Sequence, residues 1–361
     1  VIMDDGSDGW GECEAAPLVS IAAWCCPMSH LACKPLKMSV IGFEINTPAD
    51  ICMLTEKVRR NSFDLLQADH TLSGIDIALW DMLGHKYGEP VWKLLGYDRA
   101  YPKTAYASQL FGDTPQMTYE KAVQSRKAGF RAAKFGWGPF GTRTVREDIA
   151  HIDAAREGLG DDLALMVDAG TVWENDVKRA SLVLSALRKA RAVWLEEPFA
   201  SGALKAYAEL AATPGCERLL AAGEGAHNPD MAYNLIDFGG LGFIQIDTGR
   251  IGGISSAKKV AEYAEKTGIT YVNHTFTTSL ALSASIQPFA GLRSSSWCEF
   301  PVESAAPSRR LTKVRIMPDA DGEILLPDMP GLGCEIELST IERFGREVTI
   351  QYEGETLWKA R

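Results

Sequence analysis

The chain contains no CxxC pair, no block of lysines and arginines, no low-complexity tract and no apolar run of membrane-spanning length. Each absence closes a class of function. Eight dispersed cysteines in 361 residues suit free, buried thiols in a reducing compartment rather than a disulfide framework. One cluster, Cys25, Cys26, His30 and Cys33, has the residue types of a zinc site, but its tight spacing lacks a second ligand pair. A net charge of −10 with no basic block argues against nucleic-acid binding and against docking to anionic lipid. Without a stretch of roughly 20 apolar residues no membrane-spanning helix is expected. The opening VIMDDGSDGWGE has no basic segment leading into an apolar one, so a cytoplasmic protein is expected. That opening starts directly on a strand-like run, and a further N-terminal strand is expected to precede it.

What is present is a rhythm. Hydrophobic residues make up 46% of the chain, and they fall in short runs that stop on ionisable residues. Leu163–Val167 ends on Asp168. Ala192–Leu195 ends on Glu196 and Glu197, and Pro198 closes that run. Further runs end at Lys134, Glu224, Asp247, His274 and Glu299. From Asp168 onward these ends stand 23 to 28 residues apart, and Lys134 precedes Asp168 by 34. Short apolar runs of this kind suit buried parallel strands. One strand-plus-helix unit of an eight-unit barrel takes about 25–35 residues, and such barrels carry their chemistry at the strand ends. Seven successive strand ends therefore deliver one ionisable group each to a single rim.

The barrel is expected to begin with a strand over Thr104–Ser108, whose Ser108 faces the rim or is a plain loop serine. Helices over Arg143–Gly158 and Ser255–Lys266 alternate with the strands, the pattern of a parallel sheet. Upstream, residues 1–17 read as the end of a hairpin, and Pro17–Leu36 reads as a loop carrying Trp24. Val40–Ile45 suits a short strand or a loop, and Pro48–Leu66 a helix. Ser73 is placed as the cap of a helix Gly74–Tyr87. After Glu299 the rhythm stops. Leu311–Glu323 and Glu335–Arg343 carry turn and strand signals, and this tail is expected to return to the N-terminal part. The expected domains are thus 1–100 with 310–361, and 101–309.

Asp168, Glu196 and Glu224 end three adjacent strands. Converging carboxylates repel one another unless a cation lies between them. An all-oxygen donor set favours a hard ion, and Mg²⁺ is the usual one where waters and substrate complete the octahedron. A lysine- or arginine-paired structural cluster is the alternative. Lys134 on the second strand and His274 on the seventh face each other across that rim. Asp247, one strand before His274, can accept its ring N–H and fix the tautomer.

These motifs resemble the enolase superfamily in its mandelate racemase subgroup. The matching stretches are SGIDIALWDMLGHKYGEPVWKLLG at 73–96, MVDAG at 166–170, WLEEP at 194–198 and GEG at 223–225. IQIDTGRIGGISSAKKVA at 244–261, NHTF at 273–276, Glu299 and PGLG at 330–333 complete the series in order. The resemblance implies an α/β fold, a modified TIM barrel (β/α)7β under an α+β capping domain. It implies Mg²⁺ on Asp168, Glu196 and Glu224, a His274–Asp247 dyad, lysine chemistry at the end of the second strand, and Glu299 bonding the developing enolate. It also implies a small-molecule carboxylate substrate and a homo-oligomer, dimer to octamer.

Two departures stand out. The family often has Lys-x-Lys at the end of the second barrel strand, and this chain has Lys134 followed by Gly136. In the register set by Gly129-Phe130, Lys134 is the first lysine, the carboxylate binder, and the base is missing. A slipped register would make Lys134 the base. After Asp168 the family commonly has Asp-x-Asn, and this chain has Gly170. The expected reaction removes the proton next to a carboxylate through an enediolate. Dehydration of a sugar acid comes first, racemisation or epimerisation of an α-substituted acid second, and a non-catalytic Mg²⁺-binding barrel is the outside reading. Trp24 either faces the substrate from the capping loop or packs into the capping core.

Overall fold

The computed structural model describes residues 1–14 and 16–360. Eight parallel strands form the main body: β1 Lys103–Leu110, β2 Ala132–Gly136, β3 Ala164–Asp168, β4 Ala192–Glu196, β5 Leu220–Ala222, β6 Phe243–Asp247, β7 Thr270–His274 and β8 Trp297–Pro301. Their order around the sheet is β7-β6-β5-β4-β3-β2-β1-β8, with helices in the connections, which gives the modified (β/α)7β barrel. The seam between β7 and β8 is closed by side chains. The Glu299 amide donates to Asn273 Oδ1 at 2.9 Å and the Thr275 amide to Glu299 Oε2 at 2.7 Å.

Side chains alternate across each strand, so every second residue points into the barrel. The deeper inward positions are apolar: Tyr106, Ala132, Met166, Trp194, Ala221 and Val272 form one buried cluster. Two residues further along β2, β3, β4 and β7 stand Lys134, Asp168, Glu196 and His274. The outward faces meet the surrounding helices in the main core, which includes Phe135, Leu165, Val167, Leu195, Ile244 and Ile246.

The N-terminal helices cap the barrel mouth. The helix Pro48–Asn61 starts on a reciprocal capping box between Thr47 and Asp50, which satisfies amides that no helical carbonyl reaches. Beside it runs the helix Ala68–Tyr87. Their apolar sides share one cluster with Leu332 and Ile336 from the C-terminal part and with Ile254, Leu280 and Ala284 of the barrel. A polar latch joins cap to barrel. The Gly252 amide donates to Ser73 Oγ at 2.8 Å, the Ser255 amide to Asp76 Oδ1 at 3.1 Å, and Trp80 Nε1 to Ser255 Oγ at 2.9 Å. The barrel helix Ile254–Thr267 has no side-chain cap of its own at Gly253; Asp76 supplies one from the cap. Gly253 sits at φ +87, and a Cβ there would lie 2.3 Å from Asp76 Oδ1, so only glycine permits this approach.

Three local expectations differ from the structure. Pro17–Leu36 is not all loop, because Pro17–Cys25 is a helix with proline in its first turn, where a missing N–H costs nothing. Ser73 does not cap a helix. It lies inside Ala68–Tyr87, donates back to the Asp69 carbonyl at 2.8 Å and serves the latch instead. Val40–Ile45 takes the loop form of its two expected forms, following a helical turn over Lys37–Val40. Glu335–Arg343 gives a helix, Leu338–Phe344, on a Glu337 cap, and only Glu323–Ile324 of the preceding stretch is a strand, antiparallel to β1. Residues 1–14 keep a minimal hairpin, a single bridge between Ile2 and Asp8.

Candidate active site

The barrel mouth gathers five acids, a lysine and a histidine from seven consecutive strands. Asp168 ends β3, Glu196 ends β4, and Glu224 stands two residues past β5. One oxygen from each lies within 4.8 Å of the other two. Lys134 Nζ reaches Glu196 Oε1 at 2.5 Å, Glu299 Oε1 at 2.8 Å and Asp168 Oδ2 at 3.7 Å. His274 Nδ1 is 2.6 Å from Asp247 Oδ2, and its Nε2 is 3.1 Å from Glu224 Oε2 and 3.9 Å from Glu299 Oε2. Glu299 thus lies between the lysine and the histidine.

Each acid is fixed by further bonds. Asp168 Oδ1 accepts the Gly170 amide at 2.7 Å. Glu196 Oε2 accepts Trp194 Nε1 at 2.9 Å and Gln245 Nε2 at 2.7 Å. Asp247 Oδ1 accepts the Gly249 amide at 2.7 Å. Beneath Glu224, Glu197 is held at φ +35 and its carboxyl is pushed up to about 8 by burial, then by Glu224 and Glu196.

The electrostatics follow from crowding. Burial, then Glu196, drives the Asp168 carboxyl well above its ordinary range. Burial alone would lower His274, but Glu224, Glu299 and Asp247 outweigh it and the imidazole rises well above its usual value. Lys134 follows the same balance, with Glu196 and Glu299 overcoming burial. Glu224 is lowered, because His274, Lys134 and Arg250 outweigh its burial. The carboxylates here outnumber the cationic groups, and three of them converge through oxygen alone. That donor set fits a hard divalent cation such as Mg²⁺.

Sequence reasoning passed over several members of the site. Arg250 forks between Glu14 Oε1 at 2.8 Å and Glu224 Oε1 at 3.2 Å, with Nε 3.8 Å from Asp247 Oδ2. Glu14 belongs to a second acidic group with Asp247 and His274. Glu12 accepts a hydrogen bond from Thr278 Oγ1. A small cavity beside the dyad is lined by Glu12, Glu14, Asp247, His274, Thr248 and Thr277. The signals were the GECE run at 11–14 and the arginine three residues past Asp247, but neither ends an apolar strand.

Ser108 is buried on the inward face of β1, beside Lys134 of β2 and Pro301 of β8 in register. Trp24 packs against the capping cluster and is not among the residues lining the cavity beside His274. His30 is engaged at both ring nitrogens, by Ser29 at 2.9 Å and Asp64 at 2.7 Å. All eight cysteines are free, and the groups of possible metal ligands among the described residues do not include Cys25, Cys26 or Cys33.

An eight-stranded barrel with this rim defines a class before it defines a reaction. Residues 118–340 match the family "Enolase C-terminal domain-like", and residues 1–96 match "Mandelate racemase / muconate lactonizing enzyme, N-terminal domain". The chain belongs to the enolase superfamily, in its mandelate racemase group, and is an enzyme of lyase or racemase type. A crystal structure described as a predicted mandelate racemase from Rhodobacter sphaeroides is 52% identical, covers 97% of this chain and 90% of that one, and superposes with a TM-score of 0.93. D-galactarolactone cycloisomerase of Agrobacterium fabrum is 29% identical over 94% of this chain and 89% of its own length. Arabinonate dehydratase of Saccharolobus solfataricus is 29% identical over 76% and 71%. No helix among the described residues is long and apolar enough to cross a membrane.

Proposed function

We propose that this enzyme dehydrates a sugar acid, using His274 as the one residue that takes the proton beside the carboxylate and returns it to the departing hydroxyl. Mg²⁺ held by Asp168, Glu196 and Glu224 would supply the positive charge that makes this proton acidic. Lys134, between Glu196 and Glu299, would bind the substrate carboxylate. Glu299, in its protonated form, would donate a hydrogen bond to the oxygen on which charge develops. Asp247 would hold His274 with its proton on Nδ1 and support the imidazolium once it forms, and Nε2, which faces Glu224 at 3.1 Å, would accept once that carboxylate is engaged by the metal. A single residue then serves as base and as acid.

One observation carries this reading. Gly136 occupies the position of the missing base, and a Cβ there would lie 2.7 Å from Asp168 Oδ2 and 2.8 Å from Asp168 Cβ. The lysine side of the site therefore offers Lys134 alone, and Lys134 is already drawn among Glu196, Glu299 and Asp168. Racemisation needs a base on each face; elimination with one shared base does not. Two of the similar proteins are named as a cycloisomerase and a dehydratase of sugar-derived acids. The second reading, a racemase or epimerase, draws on the 52% identical structure described as a predicted mandelate racemase, and it requires Lys134 to act as a base.

The test incubates single variants with a panel of sugar acids in D₂O. The expected result is that His274→Asn abolishes both dehydration and α-proton exchange. Lys134→Ala slows both and leaves exchange measurable. If His274→Asn still exchanges and Lys134→Ala does not, Lys134 is the base and the racemase reading gains.

A further inference from the structure

Both glycines that depart from the family pattern, Gly136 and Gly170, lie beside one residue that the catalytic roles leave unused. Trp137 is the first residue beyond β2. Its φ is +53, and Gly138 follows at +63, so the chain makes two successive left-handed steps at the barrel mouth. For a bulky side chain that conformation is strained. Burial does not offset this, because Trp137 remains 54% exposed. Of the nine tryptophans, it and Trp10 are the exposed ones. The indole rests against Gly170, where a Cβ would lie 2.7 Å from Cε2 and 2.8 Å from Cδ2 of the ring. The Gly170 amide in turn donates to Asp168 Oδ1 at 2.7 Å. Glycine at 170 thus leaves room for an aromatic ring two residues along the chain from the metal-site carboxylate of Asp168.

We propose that Trp137 is a substrate platform, on which the C–H face of a sugar acid's carbon chain stacks while its carboxylate end sits at the metal-site acids. The inference rests on the sugar-acid reading above. The carbons of such a chain bear oxygen, so their hydrogens carry partial positive charge, and the face of an indole carries partial negative charge. A half-exposed indole in a strained, fixed backbone offers that face with little ordering cost on binding. The platform selects acids with enough carbons to reach past the reacting pair, and selects among epimers by which side of the distal chain presents C–H rather than O–H.

The test measures kinetics, and binding by quenching of tryptophan fluorescence, for wild type, Trp137→Phe and Trp137→Ala, each with Mg²⁺. The probes are aldonic and aldaric acids of four, five and six carbons. Trp137→Ala is expected to raise KM and the dissociation constant by about tenfold on the six-carbon acids. The effect should shrink steadily toward the four-carbon acids and fall mainly on KM rather than kcat. Trp137→Phe should recover most of the affinity while losing part of the quench. Equal effects at every chain length, or unchanged KM throughout, would overturn the platform. So would a fall in kcat and melting temperature that phenylalanine does not rescue, which would make Trp137 a packing residue for the Gly170 loop. If wild type exchanges the α-proton of these acids and Trp137→Ala behaves like wild type, only the platform fails. If no acid in the panel binds wild type, the platform and the sugar-acid reading fail together.

Discussion

Two layers of the same barrel, two residues apart on the same strands, obey opposite rules. The deeper layer, with Tyr106, Met166 and Trp194, is apolar and closely packed; the Tyr106 and Trp194 rings meet edge to face at 5.4 Å. The layer above it, with Lys134, Asp168, Glu196 and His274, is buried and charged. About 6–7 Å of strand separates them. Burying a large apolar side chain contributes about 1.5–3 kcal/mol. Taking an ion out of water costs several kcal/mol, and pairing offsets that at best. The lower layer therefore holds the barrel together, while the upper layer is carried by it. They touch where Trp194 Nε1 donates to Glu196. The comparison teaches that inward direction alone says nothing about role; depth along the strand decides it.

The largest effect should come from the lower layer. Trp194→Ala is expected to destabilise the protein by about 3–5 kcal/mol, as cavity formation at a buried aromatic does, read from urea unfolding. Trp194→Phe, which removes mainly the bond to Glu196, should cost about 1.5 kcal/mol or less. A full-sized loss from phenylalanine would mean that the polar link between layers outweighs the packing, and the division would break.

Asp76 tests whether a buried acid outside the lumen behaves like those within it. Burial pushes its carboxyl up to about 6, and the hydrogen bonds from Ser255 and Thr55 only partly oppose this. Unfolded, the group titrates near its ordinary value of about 3.9. The native state therefore holds its proton to higher pH than the unfolded state does. The contribution of Asp76 to stability is fullest below about pH 4, falls as pH rises to about 6, and stays low above that, by at most about 3 kcal/mol. Asp76→Asn keeps an acceptor for the Ser255 amide and removes the titration, so it should gain on wild type between pH 4 and 7 in thermal melts. A difference that stays flat with pH would show Asp76 ionised throughout.

In the upper layer, Glu224→Gln should weaken Mg²⁺ binding by about tenfold to hundredfold, or about 1.4–2.8 kcal/mol, measured by calorimetry. Without metal its melting temperature should fall slightly, since the carboxylate that His274, Lys134 and Arg250 hold in its ionised form is lost. EDTA should abolish activity and Mg²⁺ restore it. Activity that survives in a metal-free preparation would sink the metal assignment.

The difference between the layers also explains what could be read from the sequence. Strand ends were legible because an apolar run stopping on one ionisable residue, repeated at a near-constant interval, has few other physical causes. Asp168, Glu196, Asp247 and His274 end β3, β4, β6 and β7 as the runs predict, while Lys134 lies in mid-strand, two residues short of the end of β2. Glu299 lies in mid-strand on β8, and Glu224 past the end of β5, shifts of two residues that composition does not reveal. Pro17–Cys25 was hidden because its proline and small residues look like loop chemistry until the first-turn position of the proline is known. Ser73 reads as a cap in sequence because a serine before a helical run has the same local signature whether it caps its own helix or bonds another segment, here Gly252. Arg250 and Glu14 were missed for a related reason. They are 236 residues apart and acquire meaning only when the cap folds over the mouth.

That last pair gives the smallest and most discriminating prediction. Arg250 shares its charge among Glu14, Glu224 and Asp247 at 2.8, 3.2 and 3.8 Å. Glu14 is the cap's only carboxylate in that fork, and at 30% side-chain exposure its ion pair is worth about 1 kcal/mol or less. In Glu14→Gln the arginine is no longer balanced from the cap and acts more fully on the two barrel acids. Glu224 then has less negative charge to offer a cation, and Asp247 supports the His274 imidazolium less well. Both changes act in one direction, so α-proton exchange should slow a few-fold, by no more than about tenfold. Mg²⁺ affinity should fall modestly, with no change in melting temperature. Glu14→Asp, which keeps the charge, should recover most of the rate. This pattern would extend the upper layer's rule to the cap: charge there serves the chemistry and not the fold. A lowered melting temperature with unchanged exchange would instead group Glu14 with the latch of Ser73, Asp76 and Trp80, as part of what holds the cap in place.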